Sequence, residues 1–146
     1  MADFVSTITE SVTLNGVVRG ITRTNTISNI TDVYERVITC LTGATTTVAT
    51  FASDKAAAAL DTELVKYIRI TNLHTTADIK VAMVGASTNT THFVAFGTSL
   101  MLSVAEDAIV GEEDASPGWA TADLASIQVY NTSGSDVQVE VFIASL

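Results

Sequence analysis

The sequence predicts an all-β fold, an antiparallel β-sandwich of jelly-roll-like character with about nine short strands and at most one short helix. Three observations carry this expectation. Apolar and polar residues alternate through most of the chain in short runs bounded by Gly, Asn, Ser and Asp, as in half-buried strands. One pattern occurs twice: Ile68, Arg69, Ile70, Thr71 and Asn72 lead to Asp78, Ile79, Lys80 and Val81, and Ile127, Gln128, Val129, Tyr130 and Asn131 lead to Asp136, Val137, Gln138 and Val139. The offset is 59 residues in the first half and 58 in the second, so the second copy has lost one residue in its connecting turn. Each copy reads as a β-hairpin that turns at an Asn-led polar cluster. Finally, hydrophobic residues make up 47% of the chain but aromatic ones only 6%, which leaves Val, Ile, Leu and Ala to build the core. Abundant Thr suits a pleated, half-exposed surface.

Taken in order, residues 6–14 alternate Ile8, Glu10, Val12 and Leu14 against Thr7, Thr9, Ser11 and Thr13, and Asn15 with Gly16 gives a strong turn signal. Residues 17–30 are rich in Thr and Asn with spaced Ile21, Ile27 and Ile30, and read as an extended arm or edge strand. Residues 31–41 alternate well, Gly43 breaks the run, and 46–51 form a further short strand. The only helix-favouring patch is 53–61, with Ser53 as N-cap and alanines from Ala56 to Ala59, enough for one or two turns. Strands then follow at 65–72, 78–84, 91–96, 99–104, 124–131 and 137–144, and the longest loop falls at 106–119. At 146 residues the expected organisation is one domain, with 1–30 as an N-terminal arm or edge-strand region.

Charge is unevenly placed. The formal net charge is −9; residues 1–80 hold eight acids and all seven Lys and Arg, whereas residues 81–146 hold eight acids and no base. Five acids, Glu106, Asp107, Glu112, Glu113 and Asp114, crowd one short segment beside Pro117 and Trp119, the only proline and tryptophan. Nucleic-acid binding needs clustered Lys and Arg and is disfavoured. The acidic residues with Trp119 form a candidate partner contact, where carboxylates set orientation and an aromatic anchors. Calcium would want six to eight oxygens, but the spacing matches no EF-hand loop.

The start, Met1, Ala2, Asp3 and Phe4, lacks the basic and apolar stretches of a secretory signal, and Thr, Asp or Lys interrupts every apolar run before it reaches membrane-spanning length. A chain made and kept in a cytoplasm, without a membrane partner, is the expectation. The single cysteine, Cys40, rules out an internal disulfide and reads as a buried packing thiol on one face with Tyr34, Arg36 and Ile38. His74 falls in the first repeat's turn and His92 near a strand start, with no zinc spacing between them. No nucleophile elbow, phosphate loop or dinucleotide fingerprint occurs, so no catalytic residue and no cofactor is assigned. A carbohydrate-binding module would need aromatic platforms on one face, and Tyr34, Tyr67, Tyr130 and Trp119 are scattered. A hydrolase built on the acidic loop would need carboxylates in unlike environments, and these look alike.

The run Tyr67, Ile68, Arg69, Ile70, Thr71, Asn72 and Leu73, with Phe93, Val94, Ala95, Phe96 and Gly97 and with Leu100, Met101, Leu102 and Ser103, resembles small β-sandwich virion proteins of tailed bacteriophages, particularly cyanobacterial and marine phages. The resemblance covers residues 64–146. It implies a non-enzymatic structural role, most often capsid decoration (cement), otherwise a tail, connector or fibre component. The implied partners are the major capsid protein and further copies of the chain, with a homotrimer favoured, in a virion assembled in a bacterial cytoplasm.

Overall fold

A computed structural model describes residues 2–110 and 121–146. Among them the chain is all-β, with no helix. Its strands are β1 (Ala2–Thr9), β2 (Val12–Leu14), β3 (Val17–Arg19), β4 (Thr22–Ile30), β5 (Asp32–Cys40), β6 (Thr45–Ala52), β7 (Leu60–Asp61), β8 (Val65–Asn72), β9 (Ile79–Val84), β10 (Asn89–Val94), β11 (Ser99–Leu102), β12 (Ile109–Val110), β13 (Thr121–Ala122), β14 (Ser126–Asn131) and β15 (Val137–Ser145). Two sheets pack face to face: a five-stranded sheet in the order β10-β9-β14-β6-β7, and a four-stranded sheet in the order β11-β8-β15-β5. Every pairing is antiparallel except the two-residue parallel ladder of β6 with β7.

The core lies between the sheets and is aliphatic, as the composition predicts. Ile79, Val81, Ile127 and Val129 from one sheet meet Ile68, Ile70, Val139, Val141 and Ile143 from the other, all with no exposure to solvent. Alternate residues of each strand supply this core because successive side chains of a strand point to opposite faces.

The repeated pattern forms no hairpins. In each copy the two strands belong to different sheets: β8 lies in the four-stranded sheet and β9 in the five-stranded one, while β14 and β15 make the reverse crossing. Each copy is therefore an arch over the end of the sandwich. The copies exchange places, since β8 pairs with β15 and β9 with β14. A chain leaving one sheet for another strands its backbone polar groups, and a fully buried Asn resolves this in each arch.

Asn72 donates its amide N–H to Ala77 O at 2.8 Å and Val94 O at 3.2 Å, and its Oδ1 accepts from the His74 N–H. Asn131 donates to Ser135 O and Cys40 O, both at 2.8 Å, and its Oδ1 accepts from the Ser133 N–H. The bonded turn carbonyl is five residues past Asn72 but four past Asn131. That is the residue lost between the copies. Alternation alone suits a hairpin and an arch equally, which is why the sequence pattern suggested the wrong one.

The alanine patch does not form a helix. Ala56 and Ala59 bond each other across a tight turn, and Leu60 then pairs beside Phe51. Four alanines are too few to offset helix nucleation when the chain must return at once to a sheet.

Residues 2–30 form a long two-stranded ribbon ahead of the sandwich. β1 pairs with β4 and β2 with β3, and the register from Val5 with Thr26 to Leu14 with Val17 is one continuous hairpin. Its tip is the Asn15–Gly16 turn, where both residues take positive φ, 52° and 77°, matching the twist of a two-residue hairpin loop. The predicted strand over 6–14 is interrupted at Glu10 and Ser11. There Gly20 has φ 150°, and a Cβ on it would lie 1.9 Å from the Glu10 carbonyl oxygen.

Candidate functional site

The ribbon is two-faced. Cross-strand partners share a face, so Phe4, Ser6, Ile8, Glu10, Val12 and Leu14 stand with Ile27, Asn25, Arg23, Ile21, Arg19 and Val17 on one side. The other side is dominated by threonine: Thr7 and Thr24, and Thr9 and Thr22, bond through their hydroxyls at 3.2 Å. At the ribbon's base a bulge at Asn29, with φ 68°, turns the apolar face onto the outside of the four-stranded sheet. There the Phe4 ring packs on Tyr67 of β8 and Phe142 of β15, with centroids 4.5 and 5.6 Å apart.

Further along, Ser6, Ile8 and Asn25 line a groove of 200 Å³ with Met101, Leu102 and Ser103 at the β11 edge of that sheet. Every residue from Thr7 to Thr26 is exposed. The aliphatic side chains of this face thus stand in water: Ile8 is 44% exposed, Val12 58%, Leu14 56%, Val17 55% and Ile21 51%. The described part of the chain has no larger run of uncovered apolar side chains on one element. Alternation over 6–14 was visible in the sequence. Which of its faces would be left uncovered was not, because that depends on where the ribbon leaves the sheet.

Of the acidic candidates, the structure describes Glu106 and Asp107, both exposed in the turn before β12. Asp107 has φ 51°; its N–H donates to Asp123 Oδ1 at 2.9 Å, and its carboxylate accepts from Thr121 Oγ1. Its role there is to close the turn beside the β12–β13 ladder. Glu112, Glu113, Asp114 and Trp119 lie outside the described residues, as does Pro117. Among the described residues no three His, Cys, Asp or Glu side chains come close enough to hold a metal ion.

The remaining titratable candidates have structural roles. Cys40 is fully buried against the core, and burial pushes its thiol above the usual range, with a Thr46 hydrogen bond opposing. His74 Nδ1 accepts from the Thr76 and Ala77 N–H groups at 3.1 and 2.8 Å, holding the first arch as Ser133 Oγ, which accepts from the Ser135 N–H, holds the second. His92 is exposed on β10, an edge strand.

Two further features were not assembled from the sequence. A cleft of 430 Å³ opens between β5 and β6, lined by Tyr34, Arg36, Thr47, Thr50 and Lys55 and by the alanine turn. Lys55 is held there by Asp32, and the hydrogen bond it donates keeps that carboxyl below its ordinary range. On the outer face of the five-stranded sheet, Phe93, Lys80 and Tyr130 form one row across β10, β9 and β14, with Lys80 Nζ 5.4 Å from the Phe93 ring centre. Phe93 is 73% exposed and Tyr130 41%.

No protein-family model, curated protein or solved structure matches the chain.

Proposed function

We propose that this chain is a non-enzymatic structural protein of a tailed-bacteriophage virion, a decoration (cement) protein that binds and stabilises a shell of the major capsid protein. The observation that carries the reading is the ribbon, a contact arm with an uncovered apolar face fixed to a sandwich whose described core side chains are buried. An apolar strip of this kind marks an interaction site. The resemblance over residues 64–146 supports the virion context. The ribbon adds a surface suited to clamping neighbouring subunits. A homotrimer matches the local threefold positions of an icosahedral shell. The acidic residues 106–114 and Trp119 remain the candidate shell contact, and the net charge of −9 supports a protein partner over nucleic acid or an anionic membrane.

Quantitative mass spectrometry of purified particles tests this through the ratio of the chain to the major shell protein. Near-equal abundance supports a cement protein, and a few copies per hundred moves it to the tail, connector or fibre. Absence from the particle ends the virion reading. The Phe93, Lys80 and Tyr130 row favours a second reading, a carbohydrate-binding sandwich, because two exposed rings on one sheet face offer a stacking platform for sugar. Silence on a glycan array would remove it.

A further inference from the structure

We infer that a second copy of this chain covers the ribbon's apolar face: the ribbon tip of one copy lies across the part of the neighbour's four-stranded sheet that the neighbour's own ribbon leaves open. This deepens the assembly reading by naming the ribbon's partner.

The first argument is continuity. The face that seats Phe4 and Ile27 on this chain's own sheet is the face that carries Ile8, Val12, Leu14, Val17 and Ile21 onward into solvent. Its chemistry is already matched to the outside of this sheet. The outside of the sheet also has uncovered ground. Val37 of β5, on the edge opposite the ribbon's groove, points outward and is 59% exposed, with Glu35 two residues away on the same outer face.

Reach and charge decide whose ribbon fits there. The sheet is four strands wide, about 14 Å between its outer strands, and the ribbon from Ile8 to Leu14 extends about 20 Å. A chain's own ribbon meets the sheet as far as Ile8, in the groove beside Met101 at the β11 edge, and every residue of the tip beyond it is exposed. That leaves β5 at the far edge to a neighbour's tip, which is long enough to span the sheet. The apolar face of the tip carries Arg19 and Arg23 against one acid, Glu10. On the receiving face Glu140 is paired with Arg69 at 3.0 Å, which leaves Glu35 to meet an arginine, on a body where residues 31–146 hold fourteen acids and five bases.

The area is also adequate. Five half-exposed aliphatic side chains amount to roughly 500 Å², near the most a monomer leaves open, and burying them against an equal area gives the roughly 1,000 Å² that a specific interface needs. A two-stranded ribbon is marginal alone in water, so the tip gains order as well as burial. The contact is head-to-tail, and a closed ring leaves no ribbon uncovered.

Sedimentation equilibrium of the full chain from about 1 to 100 µM tests the inference, since association is a concentration-dependent equilibrium. The wild type should sediment at an integer multiple of the 15.3 kDa chain mass. Leu14→Asp with Val17→Asp should weaken association at least about a hundredfold, and Val37→Asp on the receiving sheet should do the same with an unchanged circular dichroism spectrum. Thr13→Asp with Thr24→Asp, on the threonine face, should leave it intact. Arg19→Glu with Arg23→Glu gives an independent arm, weakening association without touching an apolar side chain. A monomeric wild type at about 100 µM overturns the inference, as does equal dissociation by the threonine-face pair. A monomer that still binds phage shells would remove this inference alone, while an oligomer absent from particles would uphold it and remove the virion reading.

Discussion

Replacing Asn131 by Ala should cost about 2–4 kcal/mol of folding stability, because a single buried amide holds the second arch together. The magnitude follows from its bonds. Its Nδ2 donates to Cys40 O and Ser135 O, and its Oδ1 accepts from the N–H and Oγ of Ser133, all between 2.7 and 2.9 Å, in a residue with no solvent exposure. A typical internal hydrogen bond contributes about 1 kcal/mol net, and a buried partner left unpaired costs about 1–3 kcal/mol. Ser133 and Ser135 are near enough to the surface to recruit water, but the Cys40 carbonyl belongs to a buried residue and is not. One stranded acceptor plus about one bond's net contribution, the serine groups recovering the rest from water, gives the stated range. At about 2–4 °C per kcal/mol for a chain of this size, the melting temperature should fall by roughly 5–15 °C. The assay is urea unfolding followed by far-ultraviolet circular dichroism at fixed chain concentration, with Asn72→Ala as the matching change in the first arch. Asn25→Ala, on the exposed ribbon, is the control and should stay within about 0.5 kcal/mol. A loss under about 1 kcal/mol for both arch variants would refute the idea that these amides carry the crossings.

Cys40 should resist thiol reagents in the folded protein at neutral pH and react once urea unfolds it; modification of the native chain within minutes would contradict its burial and raised thiol. Gly20→Ala should open the ribbon tip without unfolding the sandwich, since its Cβ collides with the Glu10 carbonyl at a φ that side chains rarely adopt. Trypsin should then cut faster at Arg19 and Arg23, and an unchanged rate would show that the close approach is not required. Lys55→Met should cost less than about 0.5 kcal/mol, because the Lys55 and Asp32 side chains are 63% and 40% exposed and such pairs are screened by water. The sign with pH follows from the lowered Asp32 carboxyl: the pair's contribution is full above the ordinary carboxylate range and is lost as pH falls through the folded value. Urea unfolding of wild type and variant should therefore differ slightly at pH 7 and converge in acid, and a gap that widens in acid would reverse the argument.

The sequence made legible what depends on alternation and on local turn chemistry. The all-β class, the aliphatic core and the Asn15–Gly16 tip all follow from nearest-neighbour patterns, and so does the lost residue between Asn131 and Ser135. What it hid depends on which sheet a strand joins. The pattern around Asn72 and Asn131 is the same whether the next strand pairs alongside or crosses the core, and what distinguishes the two is long-range: the pairing of β8 with β15 and β9 with β14, and the buried amide bonds to Val94 and Cys40. The same limit applies to the row of Phe93, Lys80 and Tyr130, whose members come from three strands that no local pattern places side by side.

The ribbon combines both cases. Its alternation is plain in Ile8, Val12 and Leu14, and in a strand of the sandwich such a face would meet the core. Here the bulge at Asn29 and the Phe4 anchor seat only the base of the ribbon on the sheet, so the same hydrophobic pattern ends in solvent. A pattern that normally specifies a core is here left in water, since none of the described residues covers it.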